Sequence, residues 1–362
     1  MKGSGRIKVL IVDDSAIVRK LLTEALAAED DLEVVGTAPD PYVARDRILS
    51  LHPDVLTLDI EMPRMDGLTF LKKLSHFHPM PVVLISSLAP ASCQAAIAAM
   101  ELGGAVEVLA KPGGPYSVAE LRPVLVEKIR AVAQSKRARP SSAAAEALPP
   151  LAPSRPAALR SPEAALIAIG ASTGGTEAVA SIVRRLPAGM PPILVVQHIP
   201  PVFSKAFAQR LNQIGSLEVK EAEDGDRLAP GRVLVAPGDY HMILQHDARG
   251  LWVQVRSGPR VCYQRPSVDV LFLSVAEIAA RRAVGVLLTG MGEDGARGLL
   301  KMRQAGSQTM IQDEATSVVF GMPGAALKLG AAEHVVGLPS IPQRLLSLLE
   351  SPPATSQVMA YR

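Results

Sequence analysis

At 362 residues the chain exceeds what one hydrophobic core ordinarily serves, so two domains are expected. Hydrophobic residues make up 48% and charged residues 20%, yet no apolar run approaches the ~20 residues of a membrane span, and the N-terminal MKGSGRIKVLIVDD meets carboxylates too early for a signal peptide. The net charge of +3 with scattered basic residues gives no footprint for nucleic acid, and the two cysteines, Cys93 and Cys262, lack the spacing of a disulfide framework or zinc site. A cytoplasmic protein without membrane insertion fits these limits.

From residue 8 short apolar runs alternate with helical periodicity: KVLIVDD, LEVVGTA, DVLTLDI, PVVLISS and AVEVLAKP, separated by segments such as SAIVRKLLTEALAAED and MDGLTFLKKL. Continuous rather than alternating apolar runs predict a sheet covered on both faces, hence a parallel, doubly wound α/β domain over residues 1–130. In such sheets functional groups collect at the carboxyl ends of the strands. Those ends carry Asp13, Asp14, Asp59, Ser86 with Ser87, and Lys111 before Pro112. Three converging carboxylates repel unless a hard divalent cation such as magnesium joins them. Asp59 is then placed to receive a phosphoryl group, with the lysine and a strand-end hydroxyl contacting its oxygens. Taken singly, an Asp after a strand is usually a helix cap.

This pattern, DD after the first strand, D ending the third and KP after the fifth, resembles the response-regulator receiver domain, a flavodoxin-like (βα)5 fold. The resemblance implies that Asp59 is the phospho-acceptor, that Asp13 and Asp14 hold Mg2+ with Asp59 and the Glu61 carbonyl, and that Ser86 and Lys111 contact the phosphoryl group. Val108 departs from the pattern, standing where many receivers carry an aromatic switch residue. The relay from Ser86 to such an aromatic is therefore not implied.

Residues 131–162 lose periodicity and fill with Ala, Pro, Ser and Arg, which predicts a linker. A second α/β series occupies residues 163–355, from ALIAIG through PILVVQH, RVLVAP, AVGVLLTG and QTMIQD to HVVGL. HMILQHD and LWVQVR flank Ala248, Arg249 and Gly250 and predict an antiparallel hairpin beside a mostly parallel, doubly wound sheet.

The stretch IGASTGGT interrupts an apolar run with a serine among glycines. A tight strand-to-helix turn explains it in structural terms. The G-x-S-x-G spacing also suits a nucleophilic Ser172. A serine hydroxyl needs a base, and His198 ends the next predicted strand in VVQHIPP. A third group should orient the imidazole: Asp294 and Glu293, both in LLTGMGEDGARG, compete for that role on spacing alone. The chain order Ser, His, Asp disfavours an ordinary α/β-hydrolase.

Residues 165 to about 350 resemble the chemotaxis protein-glutamate methylesterase (CheB) family through GASTGG, VVQHIPPVFSKAFAQRL, VLVAPGDYHM, RPSVDVLF, LLTGMGEDGA and QDEATSVVFGMPGAA. That resemblance implies a triad of Ser172, His198 and Asp294, oxyanion donors in the backbone amides of Thr173 and Met291, and no cofactor for the ester chemistry. It implies hydrolysis of γ-glutamyl methyl esters on the cytoplasmic helices of chemoreceptors, with a histidine kinase as phosphodonor and the unphosphorylated receiver covering the cleft. Deamidation of receptor glutamines is a further expectation. The rival readings are a response regulator whose second half only binds a partner, and a serine hydrolase acting on another ester or amide.

Overall fold

The computed structural model describes residues 5–100, 106–111, 118–138 and 166–350. The first five strands, β1 (Ile7–Val12), β2 (Leu32–Ala38), β3 (Val55–Asp59), β4 (Val82–Ser86) and β5 (Val106–Ala110), form one parallel sheet in the order β2-β1-β3-β4-β5. This is the doubly wound order expected. Its helices are α1 (Ala16–Ala27), α2 (Pro41–Leu51), α3 (Gly67–Phe77), α4 (Pro90–Met100) and α5 (Val118–Ala138). Side-chain oxygens start three of them: Ser15 accepts from Val18, Asp40 from Tyr42 and Val43, and Asp66 from Thr69, each satisfying amides that a first helical turn leaves free.

Helix α5 continues to Ala138, so the first eight residues assigned to the linker are helical, and Ala131 and Val132 are fully buried in the core. Alanine, lysine and arginine are strong helix formers, and the burial of one face outweighs the fading periodicity. Residues 139–162 lie outside the described residues.

The second half builds a seven-stranded sheet, all parallel, from β6 (Leu166–Ala171), β7 (Ile193–Gln197), β8 (Glu218–Glu221), β9 (Arg232–Val235), β12 (Ala283–Leu287), β13 (Gln308–Gln312) and β14 (His334–Val336), in the order β14-β13-β12-β6-β7-β9-β8. The strands β10 (His241–Asp247) and β11 (Gly250–Arg256) form the expected antiparallel hairpin as a separate two-stranded sheet. Six helices complete the layer: α6 (Gly175–Val183), α7 (Phe203–Ile214), α8 (Val268–Ile278), α9 (Ala296–Gln304), α10 (Met322–Lys328) and α11 (Ile341–Glu350).

The two halves share apolar packing. One buried cluster joins Ile97 and Met100 of α4 to Val179, Phe203 and Phe207 in and around α6 and α7. The Gln94 and Gln209 side chains hydrogen-bond at 3.3 Å across the same seam. No described helix is long and apolar enough to cross a membrane.

Candidate active site

Parallel pairing sets Ala171 opposite Gln197, so the next residues, Ser172 and His198, leave adjoining strands at the same sheet edge. The His198 amide donates to the Ala171 carbonyl at 3.1 Å, and the Gln197 side chain donates to the Ser172 carbonyl at 2.8 Å. Both residues are buried and line one cavity. Strand β12 pairs with β6 on its other side, and the loop after β12 carries Asp294 back to the same edge.

His198 Nε2 lies 2.8 Å from Asp294 Oδ2. Asp294 also accepts from the Ser267 hydroxyl at 2.8 Å, the Val268 amide at 2.7 Å and the Asp269 amide at 3.0 Å. Its carboxylate therefore sits on the amino end of α8, where the helix dipole favours negative charge. Burial pushes this carboxyl up, but the His198 hydrogen bond and charge, with the Asp269 amide and Ser267 hydroxyl, hold it below its ordinary value. An ionised carboxylate only accepts, so the imidazole proton facing it is on Nε2. Nδ1 is then the lone-pair nitrogen, and it is buried without a hydrogen-bond partner among the described residues. Glu293, the rival for the orienting role, is well exposed and lies 3.6 Å from Arg297.

The turn after β6 places positive φ on Gly174 (75°) and not on Ser172. A side chain at Gly174 would also strike Val318, 2.5 Å from the ideal Cβ position. The strand-to-helix turn expected from G-x-S-x-G is thus present, without left-handed backbone at the serine. A Cβ on Gly290 would come within 2.7 Å of Ser172 Cβ, so Gly290 allows the segment bearing Met291 to lie against the serine. The Thr173 and Met291 amides make no hydrogen bond with another described residue. Thr289 braces the turn: its carbonyl accepts from the Ser172 amide at 3.0 Å and its hydroxyl donates to the Thr173 carbonyl at 2.9 Å. Gln197, Ser267 and Thr289 were not singled out from sequence, because their roles depend on partners 25 to 116 positions away.

The receiver forms part of the cavity wall through Leu109, Ala110, Val124, Glu127 and Lys128. Glu107 accepts from the Gly174 amide and pairs with buried Lys128. Cys93 and Cys262 are both free. The Cys262 thiol stands near Asp269 and Asp294, a grouping not anticipated from sequence, and burial with those charges pushes it up to about 11.

At the other sheet, Asp13, Asp14 and Asp59 bring carboxylate oxygens within 4.8 Å of one another. Lys111 Nζ lies 2.6 Å from Asp59 Oδ2. Burial, then the Asp59 charge, push Asp13 up to about 6, and burial also raises Asp59. Asp13 Oδ2 is buried with no hydrogen-bond partner among the described residues. An orphaned carboxylate oxygen among crowded carboxylates fits a hard divalent cation such as magnesium. The Ser86 hydroxyl donates to the Ser87 carbonyl at 3.0 Å, while the Glu61 side chain accepts from Ser87 at 2.8 Å and from Ser92. Val108 is buried in the core, and Pro112 lies outside the described residues.

Residues 167–345 match the CheB methylesterase family model, and residues 9–121 match the response regulator receiver domain. A protein-glutamate methylesterase/protein-glutamine glutaminase from Syntrophus aciditrophicus is 51% identical over 344 residues, covering 95% of this chain and 99% of the relative. The chain belongs to this methylesterase/glutaminase family. Another member, from Escherichia coli K12, is 48% identical over 348 residues, with 96% and 98% coverage. The crystal structure of the Thermotoga maritima CheB methylesterase catalytic domain is 39% identical to the second half, with a TM-score of 0.50, covering 51% of this chain and 98% of that one. Family membership accounts for the parallel sheet carrying Ser172 and for the receiver in front of it.

Proposed function

We propose that this chain is a phosphorylation-regulated serine hydrolase that converts γ-glutamyl methyl esters on chemoreceptor cytoplasmic helices to glutamate, releasing methanol, and deamidates receptor glutamines. The observation that carries this reading is the buried His198–Asp294 pair, which leaves Nδ1 as the free lone pair in the cavity that Ser172 lines. Ser172 Oγ attacks the ester carbonyl while His198 Nδ1 takes its proton. Asp294 stabilises the imidazolium, and the Thr173 and Met291 amides receive the oxyanion. His198 returns the proton to departing methanol, and water repeats the cycle on the acyl-enzyme. An amide follows the same course with ammonia as leaving group.

In the receiver Asp59 is the phospho-acceptor, served by a chemotaxis histidine kinase. Asp13, Asp14, Asp59 and the Glu61 carbonyl would hold magnesium, which supplies charge neutralisation when bound. Lys111 and Ser86 contact the phosphoryl oxygens. The receiver's share of the cavity wall supports a covered cleft in the unphosphorylated chain, and the 139–162 segment supplies the length for reorientation. Mass spectrometry of methylated receptor helices tests the chemistry. Each ester should lose the mass of one CH2 in the presence of the enzyme, and Ser172→Ala should abolish that loss. Equal turnover by the variant would sink the nucleophile assignment.

A further inference from the structure

The cavity lined by Ser172 and His198 is lined from the receiver side by a glutamate, Glu127. Val124 and Glu127 stand three apart on α5 and so share a helix face, and both reach the cavity. The Gln264 side-chain amide donates to Glu127 Oε2 at 3.1 Å, with Oε1 at 3.5 Å. Burial raises the Glu127 carboxyl, and the charges of Lys128 and His198 offset part of that rise. Glu127 and the His198 imidazole line the same cavity.

Gln264 is held unusually firmly. It exchanges two backbone hydrogen bonds with Val261, at 2.9 and 3.1 Å, closing a two-residue turn in which Cys262 and Tyr263 both have positive φ, 48° and 63°. Such a turn ordinarily calls for Asn or Gly, so two ordinary residues there are strained, and strain of this kind concentrates at ligand clamps. The next residue, Arg265, is fixed by Asp239 at 2.6 Å and by the Gly258 carbonyl at 2.6 Å. Tyr263 in the same turn is 80% exposed. A primary amide in this place can donate to an ester carbonyl or a carboxylate and can pair with another primary amide. Those are the two substrates and the product of the reaction proposed above.

We propose that α5 lies in the track of a substrate helix, with Glu127 holding the place of the glutamyl side chain to be hydrolysed, and that Gln264 reads that side chain once α5 has left. This rests on the serine-hydrolase reading and adds to it a substrate pose and a specificity-determining residue. A chance cover over the cleft needs no glutamate on the clamp; a surrogate does.

The unphosphorylated full chain carrying Glu127→Gln tests the pose. Its glutamine should become glutamate, water entering and ammonia leaving, at a rate independent of protein concentration, and the Ser172→Ala double variant should not convert. Mass spectrometry of the peptide spanning residue 127 reads the change. Retention of glutamine in a preparation that, once phosphorylated, deamidates a receptor glutamine overturns the pose, and so does a rate that scales with concentration. A preparation that stays inactive on receptor ester and amide alike after phosphorylation overturns the parent reading and the proposal together. In the phosphorylated full chain, Gln264→Ala should raise KM for methylated receptor about tenfold with kcat within about twofold. An unchanged KM overturns the assignment of Gln264.

Discussion

Glu107 Oε1 accepts a hydrogen bond from the Gly174 amide at 3.1 Å, so a receiver carboxylate caps the turn that bears Ser172. Its other oxygen pairs with Lys128, and both residues are almost wholly buried, at 2% and 7% exposure. A negative charge at the amino end of α6 is favoured by the helix dipole, so the closed arrangement draws on the polarity of the turn next to the serine.

Glu107→Gln should loosen that cover. The variant keeps an acceptor for Gly174 but removes the charge and leaves Lys128 buried without its partner. Hydrogen bonds to charged groups contribute about 1.5–3 kcal/mol, which sets a ceiling of roughly ten- to a hundredfold on the rise in basal activity. Methanol release without phosphodonor should increase by up to about that factor, and the gap between phosphorylated and unphosphorylated enzyme should narrow. An unchanged basal rate in a variant with a normal unfolding curve would remove this contact from the regulatory account.

Two substitutions around Asp294 should differ sharply. Asp294→Asn takes away the acceptor that fixes the Nε2 proton of His198, and kcat should fall on the order of ten-thousandfold, the scale known for protease triads. Ser267→Ala leaves the His198–Asp294 hydrogen bond in place and deletes one of the three other donors to the carboxylate. Its kcat should fall about tenfold with KM little changed. Steady-state kinetics on methylated receptor separates the cases, and equal losses would mean that Ser267 does more than steady Asp294.

Much of this arrangement was legible in the residues, for identifiable reasons. Buried parallel strands such as Val55–Asp59 and Ile193–Gln197 are continuous apolar runs, and the polar residues just beyond them mark the functional edge. The hairpin was visible because a turn of Ala248, Arg249 and Gly250 separates two short runs. Strand β8 was not, since EVKE buries only Val219 and lies at the sheet edge, where polar side chains carry no periodic signal. Spacing alone does not choose between Glu293 and Asp294; in the structure Asp294 lies against the amino end of α8 and Glu293 is exposed. Glu107, Glu127 and Gln264 escaped notice because their meaning arises only when the domains meet.

Magnesium should stabilise the receiver through the orphaned oxygen of Asp13. A ligand at a hundred times its Kd adds about 2.7 kcal/mol to the state that binds it. Denaturation midpoints measured with magnesium and with chelator should differ in the wild type, and Asp13→Asn should remove most of that difference. An equal magnesium effect in the variant would place the cation elsewhere.

Asp269 should make the catalytic domain less stable as pH rises. Burial, reinforced by the Asp294 charge, pushes its carboxyl up to about 6 from the ordinary aspartate value of about 4, despite the Gly298 amide donating to it. Between those values the folded state holds more protons than the unfolded one, so stability from this group is fullest below about 4 and is lost as pH climbs through 6. Asp269→Asn stays neutral throughout and keeps an acceptor for Gly298. Relative to wild type it should gain up to about 3 kcal/mol between pH 4 and pH 8, several degrees in Tm for a domain of this size. Thermal unfolding of both proteins at the two pH values checks this: the variant's advantage must grow toward pH 8, and a difference that ignores pH would show that the buried charge is not its source.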